Sequence, residues 1–186
     1  MRIETELGSI EILVDEERAP VTAANFLKYV DLGHYDGGQF HRTVRLDNQP
    51  HDKVRIEVIQ ASVRDDKKEQ DLPPIPLERT GKTGLRHRDG TVSMARTRAD
   101  SATSSFFICI GDQPSLDFGG ARNPDGQGFA AFGQVVSGMD VVRKIQAASA
   151  DGQTLKPPIG ILKVRPDPSR RSRIQGAGSI CSIQIP

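Results

Sequence analysis

The chain predicts a mostly β fold in which short antiparallel strands close into a barrel, with two α-helices as plugs. Three observations carry this expectation. Apolar and polar residues alternate with a period of two over many short stretches. Eighteen glycines and twelve prolines in 186 residues supply frequent turns and leave little room for long helices. A closed barrel also removes the edges that so many short strands would otherwise expose.

The elements follow in order. Alternation begins at the second residue, and after a Gly8-Ser9 turn Ile10, Ile12 and Val14 share one strand face, with Glu11 and Leu13 on the other. Pro20-Val21-Thr22 opens a helix for which Thr22 is the expected N-cap; Ala23/Leu27 and Phe26/Val30 pair at i,i+4, and Gly33 ends it. Residues 40–44 read as a strand with Phe40, Arg42 and Val44 on one face and His41 and Thr43 on the other. After a polar stretch, 45–53, the next strand groups Val54, Ile56, Val58 and Gln60 opposite Arg55, Glu57 and Ile59. Residues 64–88 read mostly as loop, charged at 65–69 and broken by Pro73, Pro74 and Pro76. Three further strands fall near 91–94, 105–110 and 131–136, a Gly-rich connection at 119–128 preceding the last. A second helix occupies 139–145 with Val141 and Ile145 on one face, and 161–164 complete the β content. At Pro166-Asp167-Pro168 the character changes. The division is therefore a domain over 1–165 and a tail over 166–186, either flexible or pairing as an edge strand.

Composition limits the function classes. Twenty-five Lys and Arg against 24 Asp and Glu give a formal charge of +1, so no general field draws the chain to nucleic acid or an acidic membrane. No apolar run approaches the ~20 residues of a spanning helix. Cys109 and Cys181 exclude a disulfide framework and read as free thiols. The start of the chain lacks an apolar targeting segment, so the expectation is a cytoplasmic protein, or a periplasmic one from which a signal peptide was removed. A monomer is expected.

Several motifs fail on inspection. Gly81-Lys82-Thr83 resembles the end of a phosphate-binding loop, but Pro76 occupies the upstream glycine position and removes an N–H. Gly126-Gln127-Gly128 lacks a third glycine and the strand-to-helix context. His34, His41, His51 and His87 show no metal-ligand spacing, and no serine sits in a G-x-S-x-G elbow.

What remains is a series of fragments in order: Phe40-His41-Arg42, Ile59-Gln60-Ala61-Ser62, Ser93-Met94-Ala95-Arg96-Thr97, Ser101 to Ile108, and Phe132 to Val142, supported by Ala19 to Phe26 and Leu116-Asp117. Together they resemble the cyclophilin-type peptidyl-prolyl cis-trans isomerases, especially the bacterial branch, over about 1–165. The resemblance implies an eight-stranded antiparallel barrel capped by two helices, an active groove on its outer surface, no metal or organic cofactor, and proline-containing polypeptides as substrates.

By that resemblance Arg42 is the catalytic arginine. The chemistry agrees, because a fixed guanidinium near the prolyl nitrogen helps only when the twisted bond localises a lone pair there. Taken alone, Arg42 would read as an arginine lying over barrel surface; the company of Gln60, Ala95 and Phe107 favours catalysis. Gln60 resembles the glutamine that binds substrate backbone and orients the arginine. Phe107 matches the floor of the proline pocket, with Phe106 assigned to the core by alternation. Val58, Leu116 and Phe129 match pocket walls, Ala95 leaves room for substrate backbone, and His41 joins the substrate-binding set.

Six departures from the family pattern stand out. The connection from Arg42 to Gln60 is long, Glu57 and Val58 replace an aromatic residue and a methionine, Ser115 replaces Trp or Phe, Ser105 replaces Gln, and Phe129 replaces His or Tyr. A less aromatic, more open pocket with low cyclosporin sensitivity is expected. Two alternatives stay open: a module that binds proline-containing segments with little turnover, and a passive scaffold whose tail recruits partners.

Overall fold

The computed structural model describes residues 1–166. The expected tail beyond Pro166, with Cys181, lies outside them. Eight strands close a ring of antiparallel pairs: β1 (Arg2–Thr5), β2 (Gly8–Val14), β3 (Gln39–Val44), β4 (Val58–Ser62), β5 (Thr91–Met94), β6 (Phe106–Cys109), β7 (Ala130–Ser137) and β9 (Thr154–Arg165). The order around the barrel is β1-β2-β7-β5-β6-β4-β3-β9, and pairing of β9 with β1 shuts it. A two-residue strand, β8 (Ala150–Asp151), is an addition on the side of β9.

Two helices complete the interior. α1 (Pro20–Asp31) contributes Phe26 and Tyr29, and α3 (Met139–Gln146) contributes Val141, Val142 and Ile145, to one core with the inward residues of the strands. Phe26 sits against Phe106 edge-on at 5.6 Å and against Phe132 at 5.1 Å, so aromatic packing ties α1 to the barrel. Gly138 precedes α3 at φ +88°, where a Cβ would collide with the Ser9 carbonyl oxygen, so only glycine lets β2 and the α3 start approach this closely.

Alternation sorts most strands as expected. Phe106 and Ile108 on β6, Ile59 and Ala61 on β4, and Val92 and Met94 on β5 point into the main core. Phe107, Cys109 and Val58 point outward into a second, smaller apolar cluster. Cys109 is a buried free thiol.

Four local expectations are corrected. Phe40 and Arg42 do not share a face: Phe40 pairs with Ala61 and Arg42 with Gln60, so His41 is an extra residue in a bulge. Phe40 therefore enters the main core while Val44 joins the outer cluster. Residues 54–57 are not strand, because the Ile56 amide donates to the Gln49 side-chain oxygen at 3.1 Å instead of to a neighbouring strand. A one-turn helix, α2 (Thr80–Thr83), forms where Gly81-Lys82-Thr83 resembled a phosphate loop.

The fourth concerns the α1 cap. Ala19, not Thr22, is the N-cap and offers no side chain; Thr22 is buried inside the first turn. Glu78 reaches across instead, accepting from the Val21 and Thr22 amides at 3.2 and 2.7 Å and from the Thr22 hydroxyl at 2.6 Å. Pro20 has no amide to satisfy, so one carboxylate answers the orphan donors and the helix dipole together. Replacing Glu78 with Ala is expected to lower stability by about 1–2 kcal/mol, read by urea unfolding followed by circular dichroism.

Candidate active site

The outward cluster lines a cavity of about 370 Å³ on the barrel wall. β4 supplies Val58 and Gln60, β6 supplies Phe107, and β3 supplies Arg42. Ala95 follows β5, Leu116 ends a 3-10 turn at Pro114–Leu116, and Phe129 precedes β7. Seven of the eight residues singled out from the sequence thus line one cavity. His41 is the exception: as the extra residue of the bulge it lies outside the cavity lining, within reach of the Lys68 and Asp65 charges. Its burial, with the Lys68 and Arg42 charges adding, holds the imidazole pKa below its usual value.

Phe107 forms an aromatic surface that its neighbours fix. Phe129 meets it edge-on at 5.3 Å, and His87 stacks behind it with centroids 6.0 Å apart and planes 15° apart. His87 is itself held between Asp117, 2.8 Å from Nδ1, and the Ser93 hydroxyl, 3.0 Å from Nε2. This Ser-His-Asp arrangement went unseen in the sequence because its members are far apart and no motif surrounds Ser93. It carries no nucleophilic chemistry, since Ser93 is 0% exposed and none of the three lines the cavity. Its place is structural support for the ring in front of it.

Arg42 is held by neutral groups. Its Nε and Nη2 donate to the Gln153 side-chain oxygen at 2.9 and 2.5 Å, and its Nη1 donates to the Gln60 oxygen at 3.1 Å. Neither partner is an anion, so the guanidinium is oriented without being neutralised. Burial, with the nearby Arg122 charge adding and Asp52 opposing, pushes its pKa below the ordinary arginine value.

Gln153 was missed in the sequence. It sits in the β8–β9 turn, and its amide nitrogen donates to the Asn48 carbonyl at 3.3 Å. The long 45–53 connection is thus built in: Gln49 donates to the Arg45 and Ile56 carbonyls at 2.6 and 2.8 Å, and Asn48 donates to Thr43 and Gly152, each at 3.0 Å.

The opposite lip comes from the Gly-rich connection. Arg122 and Asn123 project into the cavity, as do Arg96 and Thr97 beyond β5. Arg96 is bound bidentately by Asp125 at 2.8 and 3.0 Å, donates to the Gly128 carbonyl at 2.8 Å, and covers the Phe129 ring at 5.1 Å. Gly128, at φ +66°, passes so close to Asp117 that a Cβ would lie 2.6 Å from its carbonyl carbon.

Of the departures noted in sequence, Glu57 turns away to accept from Gln146 at 3.1 Å, and Ile56 provides the wall instead. Neither Ser115 nor Ser105 lines the cavity. Among the described residues no cluster of His, Cys, Asp and Glu is arranged to hold a metal, and no helix is long and apolar enough to cross a membrane.

Over residues 1–166 the sequence matches the model of the family described as cyclophilin type peptidyl-prolyl cis-trans isomerase/CLD, and the chain belongs to that family. Peptidyl-prolyl cis-trans isomerase A of Dickeya dadantii is 38% identical over 148 residues, 79% of this chain and 70% of that protein. Peptidyl-prolyl cis-trans isomerase B of Escherichia coli is 35% identical over 146 residues, 78% and 82% of the two chains. A Cryptosporidium parvum cyclophilin-type isomerase structure shares the fold with a TM-score of 0.70 at 19% identity, covering 90% of this chain and 97% of that one.

The support behind Phe107 has a pH signature. Burial alone would raise the Asp117 carboxyl, but the His87 side-chain and backbone hydrogen bonds and the Arg86 charge outweigh it and leave its pKa below the usual 3.8. A depressed folded-state pKa gives stability that is complete above the unfolded value and is lost as pH falls through the folded one. Between about pH 5 and about pH 2 the wild type should therefore lose more stability than Asp117→Asn, as read by urea midpoints across that range.

Proposed function

We propose that the cavity catalyses rotation about X–Pro peptide bonds in polypeptide substrates and so assists protein folding. The observation that carries this reading is an un-neutralised guanidinium, Arg42, sharing one cavity with the apolar surface of Val58, Phe107, Leu116 and Phe129.

The barrier to be lowered is ~18–20 kcal/mol, set by conjugation across the C–N bond. No bond forms or breaks in the isomerisation. The substrate's pyrrolidine ring occupies the apolar surface, with Phe107 beneath it. As the bond twists, the prolyl nitrogen loses conjugation and gains a lone pair, which the Arg42 cation stabilises. A guanidinium has five N–H donors, of which three are engaged by Gln153 and Gln60, so two are left for substrate.

Because the lone pair is absent in the planar ground state, this interaction favours the transition state selectively. One preorganised donor is worth ~2.7–4 kcal/mol. The Gln60 oxygen accepts from Arg42, which leaves its amide N–H groups to hold a substrate carbonyl. The small Ala95 side chain admits the substrate backbone alongside. A module that only binds would not require a guanidinium oriented on two amides, so the catalytic reading is preferred.

Replacing Arg42 with Ala should lower kcat/KM by about 10²–10³-fold with little change in melting temperature, measured by exchange NMR on a short Ala-Pro peptide. Wild-type-like exchange in that variant would remove Arg42 from the mechanism. Gln153→Ala tests positioning separately. It should reduce kcat by about ten-fold while KM stays within about two-fold, because Gln153 holds Arg42 and does not line the cavity.

A further inference from the structure

Among the described residues three arginines line the cavity, Arg42, Arg96 and Arg122, and no Asp or Glu does. This asymmetry is local, since the whole chain carries a formal charge of only +1. The three cations differ in how they are compensated. Arg96 is 1% exposed and locked to Asp125, so its charge is matched and its donors are committed. Arg42 has neutral partners only among the described residues.

Arg122 stands between these cases. Its Nη1 serves both the Val54 carbonyl, at 2.6 Å, and Asp52, at 3.2 Å. Its Nε and Nη2 donors have no partner among the described residues. Asp52 is 40% exposed, so water screens the carboxylate that pairs with Arg122.

We propose that Arg122 makes the enzyme selective for X–Pro segments carrying an aspartate or glutamate side chain beside the proline. The proposal rests on the isomerase reading and adds a substrate class to it. A side-chain carboxylate accepts two parallel hydrogen bonds from the free edge of a guanidinium fork. It also relieves the repulsion between Arg122 and Arg42, which acts in the same direction as burial on the Arg42 guanidinium. A lysine in the same place adds a further cation to a partly enclosed cavity, so discrimination comes from repulsion as well as attraction. Arg122 reaches the cavity from the Gly-rich connection and is tied to the long 45–53 connection through Asp52. Specificity is therefore set by loops, and catalysis by the barrel wall.

The test compares otherwise identical peptides, amidated at the C-terminus so that only a side chain can supply the carboxylate. Glu, Gln or Lys is placed immediately before the proline in one set and immediately after it in another, and kcat/KM is read by exchange NMR. At low salt the Glu peptide should exceed the Lys peptide by about five-fold or more in one of the sets, with Gln between them. The ratio should shrink at about 0.5 M salt.

In Arg122→Gln the ratio should fall to within about two-fold. In Asp52→Asn, which removes the competing carboxylate and serves if the first variant folds poorly, the ratio should rise. Equal Glu and Lys turnover in the wild type, or a ratio unchanged in both variants, overturns the proposal while leaving isomerase activity standing. Failure to accelerate even the Gln peptides overturns the isomerase reading itself.

Discussion

A strand that lines both a dry barrel and a wet groove must send its side chains to two opposite solvents, and β3 does this by breaking its own period. Phe40 belongs inside with Phe106, and a guanidinium two residues later would by strict alternation follow it into the hydrocarbon core. Such burial of a charge without a matching partner is prohibitive. The extra residue at His41 resolves the conflict, shifting the register so that Arg42 opposes Gln60 on the outer wall. The other strands beside the cavity, β4, β5 and β6, keep their period and need no such device. The placement of Arg42, and of Val44 in the outward apolar cluster, depends on this one irregularity.

Orientation of that charge is handled by amides. A carboxylate beside Arg42 would hold it as firmly, but would cancel the field of its cation. Gln60 and Gln153 supply acceptor oxygens without a counter-charge. Behind the apolar surface the opposite choice is made: an ionised Asp117 anchors His87, which backs the Phe107 ring, and neither of them lines the cavity. Charge compensation is thus used behind the cavity wall and avoided at Arg42.

The sequence made the barrel legible because its signals are local. Alternation placed 91–94 to the residue and separated Phe106 from Phe107, while apolar i,i+4 pairs located both main helices to within a residue or two. Ordered fragments brought Arg42, Val58, Gln60, Ala95, Phe107, Leu116 and Phe129 together, and the cavity contains all of them. What escaped involves partners distant in the chain. Glu78 caps a helix some 56 residues earlier, and Gln153 grips Arg42 across 111. Neither contact leaves a period to detect. The bulge escaped for a related reason: it is one residue long, and a two-residue repeat read over 40–44 cannot register it. His41, which the family resemblance grouped with the substrate-binding residues, is the residue that the bulge sets apart.

Arg122 and Asp52 lie outside every strand, on two connections that meet beside the cavity. Neither contributes to the aromatic interior that holds the barrel closed. Substitutions of these two residues are accordingly cheap in folding free energy, whereas Asn48 and Gln49 of the same connection are built into the barrel wall. Over evolutionary time the charges on that rim have freedom to drift while the wall behind them stands fixed.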